Sequence, residues 1–292
     1  MAILLARGAK NIPAEVQRWQ YFLLKQGISQ VGAIDADFGL KTEQATKFFQ
    51  VKVGITTTGK LDQKTHDEAV ALGYRDLTPA YYAAAAGASW PPKPAFPPPS
   101  NASRNAAFGA FDFILLPEKN RPDHESIVIK GASGGGAKDW VAANIIDIQI
   151  PQLAHVPGYT GRFRCHRLVA PKVKELFEAW EQEDLLHLLL GYAGAFVARY
   201  VRGTTLPAAG HGLQSSASVG SLSNHAFGSA FDINVAWNPR VTAPPPPDAL
   251  SKGSVRLLVP AANRIGFGWG GHYTPPTKYD GMHFEFADFS KL

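Results

Sequence analysis

Seven prolines crowd residues 78–107, TPAYYAAAAGASWPPKPAFPPPSNASRNAA, and neither a helix interior nor a central strand tolerates that density. The stretch is also rich in alanine and has little periodicity. It reads as a linker whose proline portion is extended and semi-rigid. It divides the 292-residue chain into a small domain, 1–77, and a larger one, 108–292. Both lengths suit independent domains.

The small domain reads as three helices. Pro13 suits a helix start, and Val16, Trp19 and Leu23 recur at helical spacing before Gly27 ends the run. A second helix is expected from Thr42, with Ala45, Phe48, Phe49 and Val53 turned inward. A third follows Asp62, whose carboxylate can cap it. FGLKTEQA and LDQKTHDEA form a loose internal repeat around the two later helix starts.

The larger domain mixes strand and helix signals without regular alternation, which predicts an α+β fold with a central antiparallel sheet. Strands are expected at 127–129, 145–150, 196–201, 230–235 and 282–286. An apolar stripe of Val169, Val173, Leu176, Phe177 and Trp180 predicts a helix. Further helices are expected through LLHLLL and across 248–265, the latter interrupted near Pro260.

Composition narrows the chemistry. The lone cysteine, Cys165, excludes an internal disulfide and a cysteine-rich zinc site, so any metal must be held by histidine and carboxylate. A net charge of +5 favours a polyanionic partner. The basic residues are scattered and form no nucleic-acid motif, so nucleic acid is not expected, and an anionic cell wall fits as well. No stretch is apolar enough to span a membrane, and MAILLARGAKNIP lacks the parts of a secretory signal.

The stretch SLSNHAFGSAFDIN, 221–234, holds His225 and Asp232 in small, apolar surroundings. If the chain turns at Gly228, a loop histidine and a strand aspartate can converge, with Ala230 leaving room beside them. Ala230, Asp232 and Asn234 would alternate onto one strand face. Zinc held by histidine and carboxylate needs a third ligand and an open position for water. YDGMHFEF supplies His283 as that ligand, and Asp280 as a nearby carboxylate able to act as general base in metal-assisted hydrolysis. Glu285 is a rival base, better explained as a carboxylate that orients a ligand histidine. Ser223 either binds substrate or fixes the loop. His166, His187 and His211 do not displace this site: His187 reads as packed, His211 as exposed, and His166 beside Cys165 has no further ligand nearby.

Two resemblances follow from these residues. Residues 13–73, with VQRWQYFLL and IDADFGLKTEQATKFFQVKVGITTTGKLDQKT, resemble the three-helix peptidoglycan-binding module, although Asp35-Ala36 stands where an Asp-Gly pair is usual. Ser223-x-His225-x-x-Gly228-x-Ala230-x-Asp232 joined to Asp280-x-x-His283 resembles the D-alanyl-D-alanine metallopeptidases over roughly 110–290. The resemblance implies zinc on His225, Asp232 and His283, Asp280 as base, and Arg199 polarising the scissile carbonyl, with Arg202 close enough in sequence to compete. His272 departs from the pattern, standing after Trp-Gly-Gly where many relatives have an acidic residue. Together they imply a monomeric zinc peptidase tethered to bacterial peptidoglycan and acting in the periplasm or outside the cell. An endopeptidase is favoured over a carboxypeptidase. A phage endolysin and a secreted antibacterial effector both fit, with release by lysis or dedicated secretion. The competing expectation is a catalytically silent wall-binding scaffold with a structural zinc.

Overall fold

In the N-terminal region, two buried glutamines hold the turns that precede the second and third helices. The computed structural model describes residues 3–77, 90–116, 126–204, 212–245, 252–273 and 279–292. This region contains β1 (Ile3–Leu5), α1 (Pro13–Lys25), α2 (Leu40–Lys52), β2 (Leu61–Asp62) and α3 (Gln63–Ala71). Gln20 on α1 donates to Thr42 Oγ1 at 3.0 Å and to the Asp37 carbonyl at 3.0 Å, and accepts from the Asp35 and Ala36 amides. Gln50 on α2 repeats the arrangement one helix later, donating to Thr65 Oγ1 at 2.8 Å and the Lys60 carbonyl at 3.0 Å, and accepting from the Gly59 amide. The loose sequence repeat is therefore a pair of matched amide staples. Asp62 caps α3 by accepting from the Thr65 amide at 2.9 Å. Between the helices, Trp19, Phe22, Phe49 and Tyr74 meet mostly edge to face, the favoured aromatic geometry. Phe48, expected inward, is 52% exposed. The buried face of α2 runs through Thr42, Ala45, Thr46, Phe49 and Gln50, the i, i+3, i+4, i+7, i+8 stripe, and Phe48 falls outside it.

The larger region continues with α4 (Asn101–Phe108), β3 (Phe111–Leu115), β4 (Ile127–Ala132), α5 (Trp140–Asn144), β5 (Ile145–Ile148) and β6 (Phe163–His166). It ends with α6 (Ala170–Gln182), β7 (Tyr192–Gly194), β8 (Gln214–Ser215), β9 (Ala230–Ile233), α7 (Val259–Ile265), β10 (Phe267–Trp269) and β11 (His283–Phe286). The architecture is α+β. Its central sheet is antiparallel, in the order β10-β11-β9-β7. Smaller sheets β4-β3-β8 and β5-β6 flank it. Phe231 and Phe284 stack beneath the central sheet, against Trp180 and Phe177 of α6.

Further expectations differ from the structure. Among the described residues of 248–265, the helix is α7 alone, with Pro260 in its first turn and a 3-10 turn, Arg256–Leu258, before it. Residues 196–201 form no strand beyond a single bridge, Tyr200 to Leu222. Their backbone instead bonds the loop before β9, through Val197 N to His225 O and Ser223 N to Arg199 O. LLHLLL forms only a 3-10 turn, Leu186–Leu188. The chain leaves that turn extended at Leu189, with Leu186, Leu188, Leu189 and Leu190 all buried. Of the stretch read as linker, 78–89 lies outside the described residues, and 90–107 is not a free spacer. Ser100 and Ser103 form a capping box that starts α4, and Arg104 fastens that helix to the Leu222 carbonyl at 2.7 Å and Asn224 Oδ1 at 2.9 Å. Proline density signals an extended chain but not whether the chain is docked.

The two regions touch. Tyr21 and Ile34 belong to the same apolar core as α6 and β9, and Arg18 reaches across to the Asp184 carbonyl at 2.9 Å and to the Asp184 carboxylate. Among the described residues, no helix is long and apolar enough to cross a membrane.

Candidate metal centre and cleft

Strand alternation builds the site. On β9 and β11, Phe231, Ile233, Phe284 and Phe286 point into the core, which sends Ala230, Asp232, His283 and Glu285 to the other face. The register sets His283 directly across from Asp232 and Glu285 across from Ala230, whose small side chain leaves room for the carboxylate.

His225 comes from a 3-10 turn, Asn224–Phe227, that Ser223 caps by accepting from the His225 amide at 3.3 Å. The turn ends at Gly228 in the left-handed region, φ +67°. A Cβ there would lie 2.7 Å from the His166 amide nitrogen and from Ile145 Cδ1, so both the backbone conformation and the available space require glycine. The expected turn at Gly228 is thus what lets the loop fold back onto β9.

His225, Asp232 and His283 converge. His225 Nε2 lies 3.1 Å from His283 Nδ1 and 3.3 Å from Asp232 Oδ1, and His283 Nδ1 lies 3.1 Å from Asp232 Oδ1. The edge of a tetrahedron around zinc, with bonds of about 2.0–2.1 Å, is about 3.3–3.4 Å. Two imidazoles and one carboxylate at this spacing fit three corners of such a tetrahedron, and the donor set suits zinc.

Each imidazole is oriented by its other nitrogen. His225 Nδ1 faces the Ala195 carbonyl, and His283 Nε2 lies 3.2 Å from Glu285 Oε2. Glu285 is in turn held by the Asn224 amide and the Tyr273 hydroxyl. Burial alone would raise the Asp232 carboxyl, but the imidazoles of His225 and His283 hold it well below the usual range. Glu285, also buried, is likewise kept low by the His283 ring. Burial by itself would lower His283, yet these two carboxylates push it up to about 10.

Asp280 closes the turn into β11, its carbonyl accepting from the His283 amide at 3.0 Å. Its carboxyl is raised, first by burial and also by the nearby Asp232 charge, while His283 and Arg240 oppose the rise. Arg199 is buried beside the site, with Nη1 donating to the Tyr200 carbonyl at 3.2 Å. Burial presses its guanidinium below the ordinary value, and the charges of Asp232 and Asp280 counter that. Arg199, Ser223, Asp232, Asp280, His283 and Glu285 all line one cleft of about 1060 Å³.

Asn234 does not join this face. Its φ is +53°, and its side chain ties the Leu190 and Gly191 amides to the Leu188 carbonyl, away from the cleft. His166 packs against Phe108 and Trp140, His187 faces Arg18 at the contact between regions, and His211 lies outside the described residues. The sequence reading missed Asn224, Tyr273 and Arg240. Asn224 sat inside the quoted motif, and its position beside His225 was the available signal. Tyr273 and Arg240 reach the site from loops that carry no periodicity.

Residues 216–286 match the family described as D-alanyl-D-alanine carboxypeptidase, and residues 13–68 match a peptidoglycan binding domain. No curated protein and no solved structure matches the chain. The two matched segments lie in the order that the sequence motifs imply, a stretch similar to peptidoglycan binding domains followed by one similar to D-alanyl-D-alanine carboxypeptidases.

Proposed function

We propose that the chain is a zinc-dependent peptidoglycan hydrolase that cuts an amide bond in the peptide stem or crosslink while its N-terminal module holds the wall. The carrying observation is the 3.1–3.3 Å spacing of His225 Nε2, Asp232 Oδ1 and His283 Nδ1 at the side of an open cleft. When bound, zinc supplies Lewis-acid polarisation and brings the pKa of a coordinated water near ~7.

The remaining work falls to side chains. Asp280 takes a proton from the attacking water and passes it to the leaving amine, and its raised carboxyl pKa suits a group that must both accept and return it. Arg199 donates to the scissile carbonyl oxygen as charge develops there, a role favoured by its burial beside the ligands. Glu285 and the Ala195 carbonyl keep the ligand rings in orientation. Ser223 holds the His225 turn by its cap and stands on the cleft wall, within reach of substrate.

A cleft of about 1060 Å³ favours an endopeptidase on polymeric wall over an enzyme that encloses a terminal dipeptide. The cell wall is the site of action.

On isolated walls, the protein should release new amino groups, a chelator should abolish the release, and added zinc should restore it. Undiminished release after exhaustive metal removal would refute the mechanism. Asp280→Ala should keep zinc, measured as bound metal per chain, while hydrolysis falls by about 10²–10⁴-fold. Equal hydrolysis by variant and parent would instead favour the silent scaffold.

A further inference from the structure

Part of the proline-rich stretch is built into the cleft. Trp90 stacks near Trp269 and Tyr279, with ring centroids 5.4 and 5.2 Å away, and the Arg256 guanidinium sits 4.3 Å over its ring. The next two carbonyls are each gripped by the peptidase region. His272 Nε2 donates to Pro91 O at 2.8 Å, and Asn263 Nδ2 donates to Pro92 O at 3.1 Å. At the far end, Asn101 donates to the Ala217 carbonyl at 3.1 Å and Arg104 is fastened as described. A segment pinned at both ends leaves Lys93, Pro94, Phe96, Pro98 and Pro99 lining the same cleft as Asp232 and His283.

The grip on Pro91 gives His272 a role. A carbonyl only accepts, so the ring must donate from Nε2, and a carboxylate in its place would repel that oxygen. Burial, and after it the Lys93 charge, lower the His272 pKa, while the bond to Pro91 opposes them. The departure from the resembling families thus coincides with a strap that needs a donor at this position.

Chemistry follows from what the strap presents. Its prolines lack amide hydrogens, so they cannot pair with an extended substrate as a strand would, and the wall acts through shape and side chains. Lys93 is its one cation on the cleft, and it has no hydrogen bond or ion pair among the described residues. Arg199, Arg202 and Arg240 add positive charge across the same cleft, against Asp280 and the metal ligands.

Resting on the peptidase reading, we propose that residues 91–100 are the outer wall of the substrate cleft and a specificity element. They select an extended peptide that carries a side-chain carboxylate, and Lys93 meets that carboxylate.

The test uses the full zinc-loaded chain and two crosslinked wall fragments, identical except that the stem side-chain carboxylates are free in one and amidated in the other. The parent should favour the free form about tenfold in kcat/KM, mainly through KM. Lys93→Gln should erase that preference and Lys93→Arg should keep it. His272→Leu, which removes the donor to Pro91 without adding a charge to the cleft beside Lys93, should weaken the preference. Calorimetric binding of both fragments to Asp280→Ala, with and without Lys93→Gln, reads recognition independently of turnover. A Lys93-dependent binding preference without cleavage would sustain the strap and overturn the peptidase reading. Cleavage or binding indifferent to Lys93, or no binding of either fragment, would overturn the strap inference.

Discussion

In the N-terminal module, most polar side chains taken out of water are amides and hydroxyls, such as Gln20 with Thr42 and Gln50 with Thr65, with Arg18 and the α3 cap Asp62 the charged exceptions. In the cleft of the C-terminal region they are ionisable: His225, Asp232, His283 and Glu285, all under 10% exposed and within hydrogen-bonding distance of one another. The amides and hydroxyls are satisfied by one another, by backbone groups and by two local carboxylates, Asp35 and Asp62, so the module gains a fixed geometry that needs no bound ligand. The ionisable cluster shares protons among groups that each favour a different state, and a metal would settle that competition. Only the second arrangement can do chemistry, and only the second depends on what occupies it.

Asp232→Ala should break the comparison most sharply. Wall hydrolysis should fall to background and bound zinc should vanish, while amide exchange in α1–α3 stays as in the parent. Loss of protection in those helices would mean that the two regions are not separable in this sense. Gln50→Ala tests the other side. It takes the Gln50 partner from the Gly59 amide and the Lys60 carbonyl, while Thr58 and Thr65 keep their bonds to Asp62, and should cost the module about 3 kcal/mol of protection in α2 and α3 with zinc content unchanged. Acid offers the smallest and finest probe. Burial, and then the Arg167 charge, push His166 down to about 4, so the unfolded chain binds a proton there before the folded one does. Stability contributed by this neutral ring is present above about 6.5 and declines as pH falls toward about 4, at about 1.4 kcal/mol per unit. Urea unfolding at pH 6.5 and 5 should therefore differ by about 2 kcal/mol from this group, and His166→Gln should flatten the slope.

Much of this was legible in the sequence because the site is written in strand alternation. Asp232 stands between Phe231 and Ile233 and His283 between Met282 and Phe284, apolar residues that must be buried, so their side chains had to share the opposite face. Gly228 announced the turn that brings His225 to them. The three helix starts were equally readable from Pro13, Asp62 and the glycine-bearing turns. What failed was context. Phe48 has the chemistry of a core residue but the wrong angle on α2. The valines and aromatics of 196–201 have strand chemistry but face a loop. The strap at 90–100 could not be read at all, because docking depends on Asn263, His272 and Ala217, residues far along the chain with no pattern linking them to prolines.

The contact between Arg18 and Asp184, with Tyr21 set into the neighbouring core, has a mechanical meaning. An anchor on a slack leash lets the blade sweep every bond within reach, whereas an anchor welded to the handle allows one offset per grip. With the module seated this way, each landing on the polymer presents one place to cut, and progress along the wall requires letting go.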